Sequence, residues 1–289
     1  QKTAYEILSG LVGSEMCIRD RNRSRMSNNF ALITGASSGI GLEIAKCLAK
    51  KKYNVILTAR SEKKLIQFSS EISQNYGVKS DYIKCDLSEK DAPKILYDFC
   101  ESNGYQIDIL INNAGYALPD LFHVTPMEDE EKFLRVLSTS VIALTKIFLP
   151  KMIESGKGNI MIVSSVAAYA PPSSIQSLYG PVKTFMNRFN ESLNAVYNKH
   201  KIFSTALCPG YTVTNFHTAS GVQNEMDSVP SFLKKSAKRI AKEGVEGMLN
   251  NKKVVVPTKT WKVIVCLLKI VPKKAFDFLS SVLVPGRYE

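Results

Sequence analysis

The stretch Thr34-Gly35-Ala36-Ser37-Ser38-Gly39-Ile40-Gly41 follows an apolar run at 30–33 and precedes apolar residues with helical spacing. A buried strand therefore leads into a glycine-rich turn, and the turn opens a helix. Gly35 permits a tight turn, while Gly39 and Gly41 allow a ligand and the neighbouring strand to approach closely. Because the first N–H groups of a helix bind anions, the stretch predicts a pyrophosphate site. The alternative is an ordinary turn between a strand and a helix.

Short apolar runs recur along the chain and alternate with helical patterns. Strands are predicted at 30–33, 55–59, 82–85, 107–111, 159–163, 203–208 and 253–256. Between them, helices are predicted at 40–48, before Gly77, at 92–100, at 127–153 as one helix or two closed by Leu149-Pro150, at 177–197 and within 215–250. Continuously apolar strands that alternate with helices form a parallel sheet covered on both faces. The fold class is therefore α/β, a doubly wound sheet of seven strands.

Polar residues cluster where the predicted strands end. They are Thr34–Gly41, Arg60, Asp86, Asn113–Gly115, Ser164-Ser165 and Pro209–Thr214. Ligands of open α/β sheets bind beyond the carboxyl ends of the strands, so these residues are expected to form one site.

Composition is that of an ordinary globular protein, with 45% hydrophobic and 22% charged residues among 289. No apolar run approaches the ~18 residues of a membrane span, so none is expected. The scattered cysteines lack metal-ligand spacing and are predicted to be reduced thiols of a cytoplasmic protein. The three histidines form no cluster either, and no metal site is expected.

The net charge is +12, and about half of the excess lies in residues 252–289. Nucleic-acid binding is one interpretation of such a charge, but no arginine-rich stripe interleaved with aromatics occurs. We prefer two other interpretations of the charge: a solvated basic surface, or a basic C-terminal patch that contacts an acidic membrane.

The two ends of the chain differ from its middle. Residues 1–25 show no continuous strand or helix pattern, resemble translated adaptor sequence and are expected to be disordered or artefactual. A secretory signal is disfavoured, because the positive charges follow the weakly apolar stretch. Residues 26–258 are predicted to form the main folded domain. Residues 259–289 form an apolar and basic extension, expected either to pack on the body or another subunit, or to attach to a membrane surface.

Tyr179 and Lys183 lie four residues apart, and therefore on one face of the predicted helix. An ammonium group near a phenol favours the phenolate and lowers its pKa from ~10, which suits general acid/base chemistry. Pro181 is tolerated only in a first helical turn, so Tyr179 should lie near the helix start. Ser165, at the end of the fifth strand, can hold a carbonyl oxygen, and strand alternation points Ser164 the opposite way. A core tyrosine and a capping serine are the structural alternatives.

Taken together, the glycine turn, Asn112–Gly115, Ser165, Tyr179 with Lys183, and Pro209-Gly210 resemble the short-chain dehydrogenase/reductase family, in its single-domain TGxxxGxG/YxxxK branch. The resemblance covers residues 29–257 and implies a Rossmann-like fold. It also implies an oxidoreductase that transfers a hydride between a nicotinamide cofactor and a carbonyl or alcohol.

The resemblance assigns roles to individual residues. Tyr179 would exchange the substrate proton, Lys183 would hold the ribose, and Ser165 would orient the substrate oxygen. The cofactor-binding residues would be Gly35, Ser37, Ser38, Gly39, Ile40, Gly41, Arg60, Ser61, Asp86, Leu87, Asn113, Ala114, Gly115, Tyr179, Lys183, Pro209, Gly210, Thr212 and Thr214.

The choice of cofactor depends on charge. Proteins that use NAD typically carry an acid at the end of the second strand, whereas Thr58-Ala59-Arg60 stands here. An arginine binds a phosphate bidentately, so NADP(H) is predicted, with Arg60 and Ser61 at its 2′-phosphate. NAD is the less favoured cofactor.

One position departs from the family pattern. Leu137 occupies the place where the family commonly carries an asparagine that holds a water in the proton relay. An active enzyme is favoured, and a catalytically weak or inactive NADP(H)-binding sensor or scaffold is the alternative.

The substrate is expected to be a small, apolar carbonyl or alcohol compound. Its pocket would form from residues 116–126, 166–178 and 211–235, including Tyr116, Leu118, Phe122, Tyr169 and Phe216. The resemblance also implies a homodimer or homotetramer. A cytoplasmic protein with peripheral membrane contact through its tail is expected.

Overall fold

The computed structural model of the chain describes residues 29–170, 177–214 and 230–270. The expectations for residues 1–25 and for Phe216 lie outside the described residues. So does most of the loop predicted near the start of 215–250.

A seven-stranded parallel sheet forms the centre of the protein. Its strands are β1 (Asn29–Thr34), β2 (Asn54–Ala59), β3 (Ser80–Lys84), β4 (Gln106–Asn112), β5 (Gly158–Val163), β6 (Ile202–Leu207) and β9 (Val254–Val255). Their order across the sheet is β3-β2-β1-β4-β5-β6-β9. The order reverses direction between β1 and β4, which places a switch point beside the glycine turn. The predicted sheet is confirmed. A separate two-stranded ribbon pairs β7 (Thr212–Val213) with β8 (Lys235–Ser236).

Eight α-helices are described. They are α1 (Gly39–Lys50), α2 (Glu62–Tyr76), α3 (Ala92–Ser102), α4 (Met127–Leu134), α5 (Ser140–Ser155), α6 (Tyr179–Tyr197), α7 (Ala237–Leu249) and α8 (Lys259–Ile270). Short 3-10 turns cover Val166–Ala168, Asn198–His200 and Ser231–Leu233. Helices α3 to α6 bury apolar residues on one face of the sheet, and α1, α2 and α7 do so on the other.

Strand β1 illustrates how the sequence builds two cores. Phe30 and Leu32 belong to one apolar cluster, whereas Ala31 and Ile33 belong to the other. Successive strand residues point to opposite faces, so a run that is apolar throughout requires a layer of helices on each side. This is the doubly wound arrangement that the pattern predicts.

The predicted end of the long helix at Leu149-Pro150 is wrong, because α5 continues through Pro150 to Ser155. Proline lacks the N–H that would bond the Lys146 carbonyl. Both Pro150 and Lys146 lie on the exposed side of the helix, where the freed carbonyl faces solvent rather than the core. The π-helical turn Arg135–Thr139 joins α4 to α5 and contains Leu137.

The helical run Met127–Ser155 is long and apolar enough to cross a membrane by length and composition alone. Phe133, Leu144 and Phe148 of this run are buried in the apolar cluster on one face of the sheet. Its apolar residues thus serve the core of the domain.

The C-terminal helix α8 packs on the body through Trp261 and Val265, which are both buried. Val263, Leu267 and Ile270 remain exposed. The expected packing of this extension on the domain is therefore observed for residues 259–270.

Candidate active site

The glycine turn is tied to the carboxyl end of β4 by Asn113. Its side-chain amide donates to the carbonyl oxygens of Thr34 (2.8 Å) and Gly35 (3.2 Å). The Thr34 hydroxyl accepts the backbone N–H groups of Asn113 (2.9 Å) and Ala114 (3.0 Å). A side chain at Gly41 would collide with the Asn113 amide and the Gly35 carbonyl. In this structure Gly41 therefore allows the turn to pack on β4, and Asn113 acts as a brace of the turn.

The start of α1 is open toward the sheet edge. Gly35 and Gly39 adopt φ values of +65° and +56°, which strain residues that carry a Cβ. Ser38 precedes the helix in an extended conformation and makes no side-chain capping hydrogen bond. The first N–H groups of α1 are consequently suited to an anion, as the sequence predicts.

The segment that follows β6 approaches the glycine turn from the other side. A Cβ added at Gly39 would lie 3.2 Å from Cγ2 of Thr214, so the two segments are in contact. The Thr212 hydroxyl donates to the Gly210 carbonyl (2.9 Å), and Pro209 accepts the Val166 N–H (2.9 Å). These contacts bring Pro209–Thr214 to the edge where the sequence places it.

Trp261 is a residue near this site that the sequence argument did not single out. Its indole covers Gly210, where a side chain would collide with the ring, and its Nε1–H donates to the Leu233 carbonyl (3.0 Å). The C-terminal helix thus reaches the segment after β6. The signal in the sequence was the single tryptophan of the chain, in a stretch interpreted only as an apolar tail.

Residues at the ends of β2 and β3 lie on the other side of the switch point. Arg60 follows β2 directly and is exposed, and Ser61 precedes α2. Asp86 accepts hydrogen bonds from the Ser88 N–H and hydroxyl, both at 2.9 Å, and Leu87 is buried. Asp86 therefore stabilises its own turn.

Ser165 and Tyr179 meet at the carboxyl end of β5. The Ser165 hydroxyl accepts the Ala167 N–H (3.1 Å) and forms a hydrogen bond with the Tyr179 side chain. Ser164 is buried and donates to the Lys183 carbonyl (3.2 Å). The two serines therefore have different partners on α6, and Tyr179 lies at the start of that helix, as expected.

The expectation that Lys183 lowers the pKa of Tyr179 is wrong for this structure. Burial raises the pKa of Tyr179 to about 12, and the Ser165 hydrogen bond opposes that shift. The Lys183 Nζ donates to the Val163 carbonyl (2.9 Å) and lies 5.4 Å from the Tyr179 ring centroid. Burial also lowers the pKa of Lys183 to about 8, so its ammonium loses its proton at a lower pH than that of an exposed lysine.

Leu137 is buried at the position where the family commonly carries asparagine. A Cβ built at Gly115 would lie 3.6 Å from Cγ of Leu137, so the leucine packs against the segment that follows β4. A leucine side chain offers no hydrogen bond to a water. Leu137 lies in the π-helical turn Arg135–Thr139, and π turns often mark functional sites.

A narrow cleft runs beside Tyr179, and its volume of about 10 Å³ has room for about one water molecule. It is lined by Leu118, Asp120, Phe122, Glu130, Phe133, Ser177, Leu178 and Tyr179. Leu118 and Phe122 were predicted substrate contacts, and Tyr116 packs edge-on against Phe133 with ring centroids 5.7 Å apart. Tyr169 lies apart from this lining, beneath Lys269, whose Nζ is 4.7 Å from the ring centroid. Glu130 was not foreseen, because an acid near a helix start resembles a surface residue in sequence.

The site has the features that a dinucleotide requires. It combines an uncapped helix start, glycines whose missing side chains leave the turn compact, and an exposed arginine after β2. Among the described residues no group of histidine, cysteine or acidic side chains could hold a metal ion. The uncapped helix start and the exposed arginine fit a cofactor that carries phosphate groups.

A family model described as short chain dehydrogenase matches residues 29–225. The chain belongs to the short chain dehydrogenase family. Members of this family are oxidoreductases that use NAD(P)(H), and the resemblance drawn from the motifs is confirmed.

Several curated members of the short chain dehydrogenase family are similar in sequence. The very-long-chain 3-oxoacyl-CoA reductase of Anas platyrhynchos is 34% identical over 197 residues, which cover 66% of this chain and 62% of that protein. The Bos taurus protein of the same name is 31% identical, over 76% of this chain and 70% of that protein. Hydroxysteroid dehydrogenase-like protein 1 of Gallus gallus is 32% identical, over 75% and 64%. The chain thus spans about two thirds of the length of these relatives.

Solved structures share the fold. A short-chain dehydrogenase from Sphingobium yanoikuyae, in complex with NADPH, superposes with a TM-score of 0.76 and 24% identity. That match covers 90% of this chain and 98% of the other. The bulky-bulky ketone specific alcohol dehydrogenase from Comamonas testosteroni gives a TM-score of 0.70 and 22% identity, over 90% and 96%.

Proposed function

We propose that this dehydrogenase transfers a hydride between NADP(H) and a carbonyl or alcohol substrate, with Tyr179 as the general acid or base. The observation that carries the proposal is the hydrogen bond between Ser165 and Tyr179 beside the cleft, at the sheet edge that also holds the glycine turn. A cofactor bound there supplies or accepts the hydride. The chain must then bind the substrate oxygen and move one proton.

Ser165 and Tyr179 divide that work between them. The Ser165 hydroxyl lies at the end of a rigid strand and holds the substrate oxygen. The Tyr179 phenol is protonated at neutral pH, burial raises its pKa further to about 12, and it donates a proton to the oxygen during reduction. Lys183 lies one helical turn on and is proposed to hold the ribose, for which its ammonium has to leave the Val163 carbonyl.

Arg60 supports NADP(H) over NAD(H). It stands where proteins that use NAD typically carry a carboxylate that binds the ribose hydroxyls. Its exposed guanidinium is proposed to bind a 2′-phosphate together with Ser61. The NADPH found with the Sphingobium yanoikuyae protein is consistent with this choice.

A 3-oxoacyl-CoA is the first substrate class to test. Very-long-chain 3-oxoacyl-CoA reductases recur among the relatives, and Leu118, Phe122 and Phe133 present apolar side chains near Tyr179 that suit contact with an acyl chain. Leu121, Val124 and Met127, in the same stretch of chain as Phe122, are exposed and enlarge that apolar surface.

The test is consumption of NADPH with ketones, aldehydes and 3-oxoacyl-CoA thioesters of increasing length. The wild type should oxidise NADPH with at least one of them, and Tyr179→Phe should lower kcat by about 100-fold or more without weakening NADPH binding. Tyr197→Phe, at the far end of the same helix, is the matched control and should retain activity. Equal kcat values for wild type and Tyr179→Phe would contradict the role of Tyr179.

A catalytically inactive NADP(H)-binding sensor or scaffold is the second candidate. Leu137 favours it, since its buried side chain cannot support the water that the family asparagine holds. Tight NADPH binding with no oxidation by any substrate of the panel would favour this candidate. Turnover by the wild type would exclude it.

The C-terminal helix supports a peripheral attachment to a membrane surface. Val263, Leu267 and Ile270 are exposed at helical spacing, and Lys262 and Lys269 lie on the same helix. We further propose that the protein is a cytoplasmic homodimer or homotetramer. We also propose that residues 26–258 form the main domain and that residues 259–289 form a C-terminal extension.

A further inference from the structure

Glu130 is a buried acid that the proposed chemistry does not use. It lies in the first turn of α4, only 5% of its surface is exposed, and its Oε2 atom has no hydrogen-bond partner among the described residues. The same side chain lines the cleft that contains Tyr179. A buried carboxyl oxygen without a partner is uncommon in proteins, because the group loses its water without replacement.

The described residues around Glu130 supply no positive charge to its carboxyl. The described residues of the cleft lining include a second acid, Asp120, and no lysine, arginine or histidine. Lys132, two residues further on, donates to Glu128 on the exposed side of the helix (2.7 Å). Glu128 and Asp129 already place negative charge at the helix start, so the helix dipole does not require Glu130.

The chemistry of Glu130 selects the group that would bind it. Burial raises the pKa of its carboxyl. Its Oε2 atom accepts a hydrogen bond whether the carboxyl is charged or neutral, so the matching ligand group is one that donates. The apolar side chains that line the cleft with Glu130 suit an uncharged donor, which describes a hydroxyl or the N–H of an amide.

We propose that Glu130 forms a substrate subsite that binds a neutral hydroxyl or amide group carried by the substrate beyond its reacting carbonyl. This inference rests on the proposed carbonyl reduction, because Tyr179 and Glu130 line the same narrow cleft, which admits one small group of a substrate that reacts at Tyr179. The apolar residues Leu118, Phe122 and Phe133 surround the acid, so the substrate is an otherwise apolar molecule with one internal polar group. Glu130 is thus a determinant of specificity.

The probes are methyl ketones that carry an N-acetylamino group at increasing distance from the carbonyl. Each is compared with the O-acetyl ester of the same length and with the N-methylated amide, both of which lack the N–H donor. At one chain length the wild type should favour the amide over both analogues by about tenfold in kcat/KM. Glu130→Leu should abolish that preference, and Glu130→Gln, which can still donate and accept, should retain it.

Glu131→Leu is the matched control, since Glu131 is the next residue of the same helix and is exposed. It should keep the wild-type preference. The proposal would be overturned if the wild type showed no amide preference at any chain length. It would also be overturned if Glu130→Leu showed the wild-type preference. The comparison with the N-methylated amide needs no variant, so the test stands even where Glu130→Leu does not fold.

Calorimetric binding of the same probes to the protein saturated with NADPH separates this proposal from the proposed function. If no ketone is turned over, the proposed reduction fails. An amide preference in binding that Glu130→Leu removes would still support the subsite, whereas equal binding of amide and ester, or no binding of either, would overturn it.

Discussion

The side-chain amide of Asn113 donates a 2.8 Å hydrogen bond to the carbonyl oxygen of Thr34. This bond joins the end of β4 to the end of β1, the two strands between which the sheet order reverses. The same amide also donates to the Gly35 carbonyl, so one side chain fixes the backbone of the glycine turn at two points. The conformation of the turn therefore depends on a residue about eighty positions away in the sequence.

Asn113→Leu should both destabilise the domain and weaken cofactor binding. The substitution leaves the Thr34 and Gly35 carbonyls without this donor, a loss of about 1–3 kcal/mol in the free energy of unfolding. Urea unfolding and NADPH titration measure the two effects. Asn103→Leu is the control, because Asn103 donates only to an exposed helix end, and it should change neither by much. Unchanged NADPH affinity in Asn113→Leu would show that the turn does not need this brace.

Arg60→Ala should raise the KM for NADPH by about tenfold or more and leave the KM for NADH nearly unchanged. The reason is the loss of a charge-assisted, bidentate contact with the 2′-phosphate, which NADH lacks. Steady-state kinetics with both cofactors test this. Arg188→Ala removes an exposed arginine that pairs with Glu191 on α6 and should affect neither KM. An equal rise for both cofactors would contradict the assignment of NADP(H).

The sequence predicts the order of strands and helices well, because local patterns determine it. Continuous apolar runs define the parallel strands, and Pro181 correctly places the start of α6. Pro150 misleads, since whether a helix tolerates proline depends on solvent access to the freed carbonyl, which is a tertiary property. The pKa of Tyr179 and the environment of Glu130 also depend on burial, which no local spacing reveals.

The burial of Lys183 should make stability depend on pH. Its pKa falls from 10.5 to about 8 on folding, so between those values the unfolded chain binds the proton that the folded chain has lost. Stability from this group therefore increases as the pH rises through that window and is lowest below about pH 8. Lys183→Met removes the penalty and should raise the free energy of unfolding at neutral pH by up to about 3 kcal/mol.

The advantage of Lys183→Met should shrink as the pH approaches 10.5, where the wild-type lysine is no longer penalised. Urea unfolding across the pH range measures it. The exposed Lys146→Met should follow the wild-type curve. A constant difference between Lys183→Met and wild type at all pH values would show that the lysine proton plays no part.

Gly210→Ala should destabilise the contact between the C-terminal helix and the segment after β6. A methyl group there would collide with the Trp261 indole, which is buried and anchored to the Leu233 carbonyl. We expect a loss of about 1–3 kcal/mol in the free energy of unfolding, as for other overpacked sites. Gly180→Ala is the control, because its nearest neighbour would be the Ala167 carbonyl oxygen at 3.5 Å, and it should be tolerated.

Leu267→Asp should reduce binding to vesicles that contain phosphatidylserine, because it places a charge in the exposed apolar stripe of Val263, Leu267 and Ile270. Co-sedimentation of the full chain with anionic and neutral vesicles measures the effect, and binding should weaken as salt is added. Phe185→Asp is the matched control, since Phe185 is 50% exposed on α6 and Leu267 is 54% exposed on α8. Equal loss in the two variants would assign the binding to general surface hydrophobicity. Wild-type protein that does not sediment with anionic vesicles would exclude the attachment through α8.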